Sequence, residues 1–330
     1  MNWLEKTLSD FLTCYSNFSR IQSDSYSMSI IQPNAVPKIS TLSNGLRIAT
    51  IPVQSELSTI GLWIKSGSIY EKPENNGVAH FLEHIIFRGG DKYPREKLEE
   101  IADLHGINIK AATTRTTTSF SANIGNNNFE LAADILSQIV FNPKIEKEAV
   151  DNERITILTE EYEVMHNFSE TLWDYLHENA FPNSSAGFPI LGSRKNIRSI
   201  SEAMIKQHHS NFFTPSNSYF ICATKIDHKK CCEMIEKATS FIKKKPALDI
   251  SQIERNLPIK FDPRIRIYSS NHLDRSWMAA GIQAPGPHSP DYLSCRLVES
   301  VIGNIDLKNT MVASPILTSF IGQGQLFSFT

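Results

Sequence analysis

Apolar positions in the first half of the chain alternate with polar ones in short runs and then recur every three or four residues, a pattern of strands followed by helices. Leu46, Ile48 and Thr50 alternate behind a Ser43-Asn44-Gly45 turn, and Thr59-Ile60-Gly61-Leu62-Trp63-Ile64 follows, so residues 38–66 read as two strands. Helical spacing predicts helices over 78–89 and 94–105. A Thr-rich hairpin over 107–124 comes next, with Ile107, Ile109, Ala111, Phe120, Ala122 and Ile124 in alternation, then long helices over 128–141 and 146–166. A further helix opens at Ser169, irregular chain surrounds Pro182 to Pro189, and a helix over Ser201–Phe212, a strand over Ser218–Ala223 and a helix over His228–Phe241 complete an α+β unit spanning 37–242.

Lys243-Lys244-Lys245-Pro246, with Pro258 and Pro263 nearby, predicts a linker over 243–263. Residues 264–330 restart with an alternating strand at Ile265 and Ile267, another over Trp277–Gly281 and a helix over Tyr292–Ile302. They end on Leu326-Phe327-Ser328-Phe329-Thr330 in what reads as a strand, so this second unit looks partial. Ahead of residue 37, Leu4, Leu8, Phe11, Leu12 and Tyr15 form a helical stripe in an N-terminal extension, residues 1–36. Glu5, Asp10 and Asp24 make it a weak candidate for an Arg-rich targeting leader.

Composition narrows the field. With 41% hydrophobic and 21% charged residues the chain has the makings of a packed core, and a formal charge of −2 excludes the global basic field that drives nucleic-acid binding. No apolar run reaches the length of a membrane span. Five scattered cysteines without a CxxC pair suit a reducing compartment and argue against thiolate zinc.

The chemistry concentrates in Gly77-Val78-Ala79-His80-Phe81-Leu82-Glu83-His84. Two histidines four apart lie on one helical face with Glu83 between them, the inverted form of the HExxH metal helix. The alternative is two surface histidines beside a solvated carboxylate. A catalytic metal needs a third protein ligand, and Glu153 and Glu160, two turns apart on the 146–166 helix, share a face that can point inward; Glu161 and Glu163 read as solvated. Glu170 and Asp174 form a like-charged i, i+4 pair, which points to a bound cation.

These residues, with the 76-residue step from His84 to Glu160 and the flanks Leu42-Ser43-Asn44-Gly45-Leu46-Arg47, Ser66-Gly67-Ser68, Tyr70-Glu71, Asn76-Gly77, Asp174-Tyr175-Leu176-His177, Ile190-Leu191-Gly192 and Asn196-Ile197, resemble the pitrilysin-type (M16) zinc metallopeptidases, most of all their mitochondrial processing β subunits. The resemblance covers about 38–330 and is thinner beyond 262. It implies a domain with a mixed, largely antiparallel sheet packed on helices, followed by an incomplete second domain of the same type. It implies one Zn2+ held by His80, His84 and Glu160, Glu83 as general base, and Glu153 supporting the ligands. It further implies Glu170 and Asp174 as the site for a presequence arginine, and Phe87 as part of the pocket for the residue after the cut. Asn108–Arg115 corresponds to the edge strand that takes up an extended peptide, with departures at Lys110, Ala112 and Thr116.

The function implied is removal of basic N-terminal presequences from imported proteins in the mitochondrial matrix or a mitochondrion-derived organelle, with an α-type processing peptidase subunit as a candidate partner. The alternatives are a non-catalytic structural subunit like a cytochrome bc1 core protein, and a general peptide-degrading peptidase of the same family.

Overall fold

The computed structural model describes residues 36–242, 248–268, 278–286 and 289–302. Residues 1–35, Lys243–Pro246, Trp277 and the terminal Leu326–Thr330, on which several of the expectations above fall, lie outside the described residues. The chain divides into one compact unit of residues 11–280 and a second that takes in 281–330.

The first unit is built on one six-stranded sheet: β1 (Lys38–Thr41), β2 (Arg47–Pro52), β3 (Leu57–Ile64), β4 (Asn108–Thr113), β5 (Thr118–Gly125) and β6 (Ser218–Thr224), in the order β1-β2-β6-β3-β5-β4. Only β2 and β6 run parallel, with Ile48 opposite Phe220; every other pairing is antiparallel. The β1–β2 turn closes as its residues dictate: Gly45 takes φ +95°, and Asn44 Oδ1 accepts the Leu46 N–H at 3.0 Å. β3 and β6 are buried from Ser58 and Ser218 onward, as central strands are. In β5 Thr118, Phe120, Ala122 and Ile124 point inward, and the outermost strand β4 alternates between half-buried and exposed positions.

The helices are α1 (Val78–Ile86), α2 (Arg95–His105), α3 (Phe129–Phe141), α4 (Lys147–His166), α5 (Phe168–Ala180), α6 (Arg194–Ser199), α7 (Glu202–Phe212), α8 (His228–Ala238) and α9 (Ile250–Asn256), with α10 (Tyr292–Ile302) in the second unit. The mixed, mostly antiparallel sheet with helices against it is the α+β domain expected. Phe81, Leu82 and Ile85 of α1 join Leu62, Phe120, Phe129, Leu136 and Phe220 in a continuous apolar core. α1 packs against both α4 and α7, so the His-bearing helix is clasped between two others.

Several local expectations are corrected. α1 stops at Ile86 rather than 89, because Gly89 takes φ +81° and pairs with Pro94 across a tight turn. Residues 250–256, inside the stretch read as linker, form a helix capped by Asp249 Oδ1 on the Gln252 N–H at 3.0 Å and anchored by buried Ile250. No strand forms at Ile265 and Ile267, which are 91% and 90% exposed and have no ladder partner among the described residues. Residues 278–281 are likewise irregular. Alternation makes a strand only where a neighbouring edge offers hydrogen bonds.

Candidate metal centre

α1 begins at Gly77, whose φ of +100° no residue with a side chain adopts cheaply, and a Cβ there would lie 2.5 Å from the Leu191 carbonyl oxygen. From that start Val78, Ala79, Phe81, Leu82, Ile85 and Ile86 are buried in the core. His80 is also buried, while His84 is half-buried against the α4 glutamates and Glu83 half-buried against β4.

α4 is the unusual element. Its buried positions are Val150, Glu153, Ile157 and Glu161, so its inward face is half acidic and carries little apolar contrast. Glu160 lies at the edge of that face. Its Oε2 is 3.1 Å from His84 Nε2 and its Oε1 3.6 Å from His80 Nε2. One ligand atom from each of His80, His84 and Glu160 falls within 4.8 Å of the others. Two imidazole nitrogens and a carboxylate oxygen at that spacing can hold a metal ion.

The other residues singled out from the sequence take up distinct places. Glu153 Oε2 lies 3.3 Å from His84 Nδ1, on the far side of the ring from Glu160, and its other oxygen is bound by Arg88. Glu83 accepts a hydrogen bond from Thr113 Oγ1 at the end of β4, so the edge strand reaches the centre. Phe87, capping α1, is half-buried with its ring 6.2 Å from that of Phe120. Glu170 is exposed and accepts from Asn167 Nδ2 at 2.7 Å, whereas Asp174 accepts from Arg115 Nη2 at 2.7 Å. The cation implied by the acidic pair is thus already supplied, in part, from the β4–β5 turn. Lys110 and Ala112 are exposed along β4, and Thr116 is half-buried in the turn after it.

One expectation is overturned: Glu161 is not solvated but 8% exposed, paired with Arg194 Nη1 at 2.6 Å. Glu163 is exposed as read. Thr113, Arg88 and Arg115 are contacts the sequence did not announce. They come from the hairpin and from a loop whose course depends on Gly89.

The electrostatics suit a cationic guest. Burial disfavours charge on His84, but hydrogen bonds to Glu153 and Glu160 prevail and push it up to about 9. Hydrogen bonds to His80 and His84 hold Glu160 well below the usual carboxylate range. Burial opposes ionisation of Glu153, and His84 and Arg88 overcome it. In the metal-free protein a proton on His84 therefore does the work of a cation. This raised value stabilises the fold fully below the unfolded pKa of about 6.5 and is lost as pH rises through about 9. Metal-free protein should lose on the order of 1–3 kcal/mol between pH 6.5 and 9.5 in urea titrations. His84→Gln, which cannot titrate, should flatten that segment of the curve. An unchanged slope in that variant would place the titration elsewhere.

Comparison with known proteins agrees with this architecture. The family model for the insulinase-type M16 peptidases matches residues 47–194, and that for the M16 inactive domain matches 199–328. The mitochondrial-processing peptidase subunit beta of Dictyostelium discoideum is 32% identical over 308 residues, covering 89% of this chain and 63% of that protein. The ubiquinol-cytochrome-c reductase complex core protein I of Euglena gracilis is 32% identical over 268 residues, 80% of this chain and 52% of that one. A protease from Helicobacter pylori shares the fold, with a TM-score of 0.63 and 19% identity, over 66% of this chain and 52% of its own. The chain spans about half to two thirds of the length of these relatives. With an HxxEH helix on one M16 domain and a second M16-type domain after it, the chain has the domain architecture of the M16, or pitrilysin-type, metallopeptidase family.

Proposed function

We propose that this chain is the zinc-bearing part of a mitochondrial endopeptidase that trims basic presequences. The observation that carries the reading is the convergence of His80, His84 and Glu160 within 4.8 Å, with Glu83 on the helix that bears both histidines. An N, N, O donor set with a free carboxylate next to it is the make-up of catalytic zinc sites in metallopeptidases. When bound, zinc supplies Lewis acidity, lowering the pKa of water and polarising the scissile carbonyl. Glu83 takes the proton from the attacking water and returns it to the leaving amine, steered by Thr113 Oγ1. Glu153 fixes the ring of His84 from behind. β4, the edge strand nearer the centre, offers its outer edge to an extended peptide, which leads that peptide toward Glu83.

The mitochondrial setting and a processing activity are supported by relatives named mitochondrial-processing peptidase subunit beta in several organisms, and the presequence substrate by the resemblance of Glu170 and Asp174 to that family's arginine site. An α-type subunit is the corresponding partner. The rival reading, a structural subunit like core protein I, is favoured by a comparable 32% identity but leaves the assembled N, N, O set and Glu83 without a use. Purified protein titrated with zinc and offered paired peptides, one with arginine and one with alanine two residues before the cut, tests all three alternatives. Stoichiometric zinc and preferential cleavage of the arginine peptide are expected. Zinc with no cleavage, in the presence of an α-type subunit, would favour the structural reading; equal cleavage of both peptides would favour a general peptidase.

The Arg115–Asp174 contact sharpens the substrate side. A peptide arginine at Glu170 and Asp174 must share Asp174 with Arg115, so wild-type discrimination should be modest. Arg115→Ala should raise the preference for the arginine peptide several-fold, and Glu170→Gln with Asp174→Asn should abolish it. Competition between the two peptides at low substrate concentration measures both. An unchanged preference in the double variant would remove the pair from the recognition site.

A further inference from the structure

His80 and His84 are oriented by different means. His84 is gripped at both nitrogens, by Glu153 on Nδ1 and Glu160 on Nε2. His80 Nδ1 is buried with no hydrogen-bond partner among the described residues, so that ring is held at one nitrogen alone, by Glu160 Oε1 at 3.6 Å from Nε2. Its pose therefore depends also on the backbone of the first turn of α1, which carries it.

That turn lacks the usual support. The residue capping it is Gly77, with no side chain to accept from the first helical N–H groups. Those groups are bound instead by Glu71, six residues upstream and 5% exposed. Glu71 Oε2 accepts from the Gly77 N–H and from Asn76 Nδ2, and Oε1 from the Ala79 N–H, each at 2.8 Å. Asn76 Nδ2 also donates to the Pro189 carbonyl at 2.9 Å, and Asn196 Nδ2 donates to the Asn76 and Pro73 carbonyls at 3.2 and 2.8 Å. Gly77 and Gly192 face each other so closely that a Cβ on either would lie within 3 Å of the other's chain. The first turn is thus pinned on one side by a buried carboxylate and on the other by the loop at 189–196.

We infer that Glu71 is a positioning residue for the metal centre: through the N–H groups of Gly77 and Ala79 it fixes the first turn of α1 and thereby the imidazole of His80. The inference rests on the reading of His80, His84 and Glu160 as metal ligands. A carboxylate costs a great deal to bury without partners, and here it has three donors at the positive end of a helix, which gives a rigid joint at a single orientation. A neutral amide in its place keeps the shape but turns one N–H group toward the helix donors, so the turn must shift.

The test uses Glu71→Gln, Asn76→Ala as a milder variant of the same joint, and Phe129→Leu, a core residue that makes none of the joint's hydrogen bonds, as a destabilised control. Zinc affinity is measured by competition with a chromophoric chelator, the ligand geometry by the visible spectrum of the cobalt-substituted protein, and the order of the first turn by hydrogen exchange in the metal-free protein. Glu71→Gln should weaken zinc 10- to 100-fold, the range for loss of an outer partner of a metal ligand. It should alter the cobalt spectrum and speed exchange at Gly77 and Ala79, and Asn76→Ala should do the same to a smaller degree. Phe129→Leu should lower stability while leaving the cobalt spectrum as in the wild type. Unchanged zinc affinity and cobalt spectrum in Glu71→Gln would overturn the inference; if that variant does not fold, the same result in Asn76→Ala overturns it. A wild-type protein that takes up no zinc would instead remove the ligand assignment beneath it.

Discussion

Glu83→Gln is expected to bind zinc as the wild type does and to lose nearly all turnover. Glu83 is on the metal helix but outside the three-residue cluster, so the substitution removes no ligand atom. It keeps the volume and keeps an acceptor for Thr113 Oγ1, so the end of β4 should stay in place. What disappears is the basic oxygen. General acid–base catalysis contributes roughly 10²- to 10⁴-fold, and kcat should fall by at least that range with KM little changed. Single-turnover cleavage of an internally quenched peptide, alongside metal content by mass spectrometry, separates the two quantities. Near-normal cleavage with full metal would show that the base lies elsewhere.

The second large effect belongs to the ligands. His84→Ala removes a nitrogen donor and leaves Glu153 and Glu160, both near that ring, facing one another without a cation between them. The variant should retain less than a tenth of the wild-type zinc after dialysis against a weak chelator, since two donors do not make a closed site. Glu160→Ala should lose metal similarly, whereas Glu153→Ala should weaken it roughly 10- to 100-fold without emptying the site. Full zinc occupancy in His84→Ala would reject the ligand set.

The residues of this cluster were partly legible in the chain and partly not, for identifiable reasons. The two histidines could be placed on one face because four residues make about one turn, and α1 carries enough apolar residues to announce itself as a helix. Glu160 was harder to single out. α4 turns glutamates inward at 153 and 161 as well as near 160, and a helix with so weak an apolar stripe looks solvated from its pattern. Glu161 reads as solvated for that reason, and its burial is made tolerable by Arg194, 33 residues on. The contacts of Arg115 with Asp174 and of Thr113 with Glu83 depend on where β4 and β5 sit in the sheet. No spacing within either segment encodes that. The strand expected at Ile265 and Ile267 failed in the opposite sense, with the right alternation and no edge to join.

The parallel pairing of β2 with β6 also sets when the sheet can close. Arg47 lies opposite Tyr219, and β6 is wedged between β2 and β3, which the chain completes some 150 residues before it. A nascent chain extended as far as α7 holds both histidines and all the acidic partners, yet has a gap in the middle of its sheet. Ladder pairings across such a long sequence separation form late and slowly. The sheet beneath the centre can therefore close only after residue 224 has been synthesised.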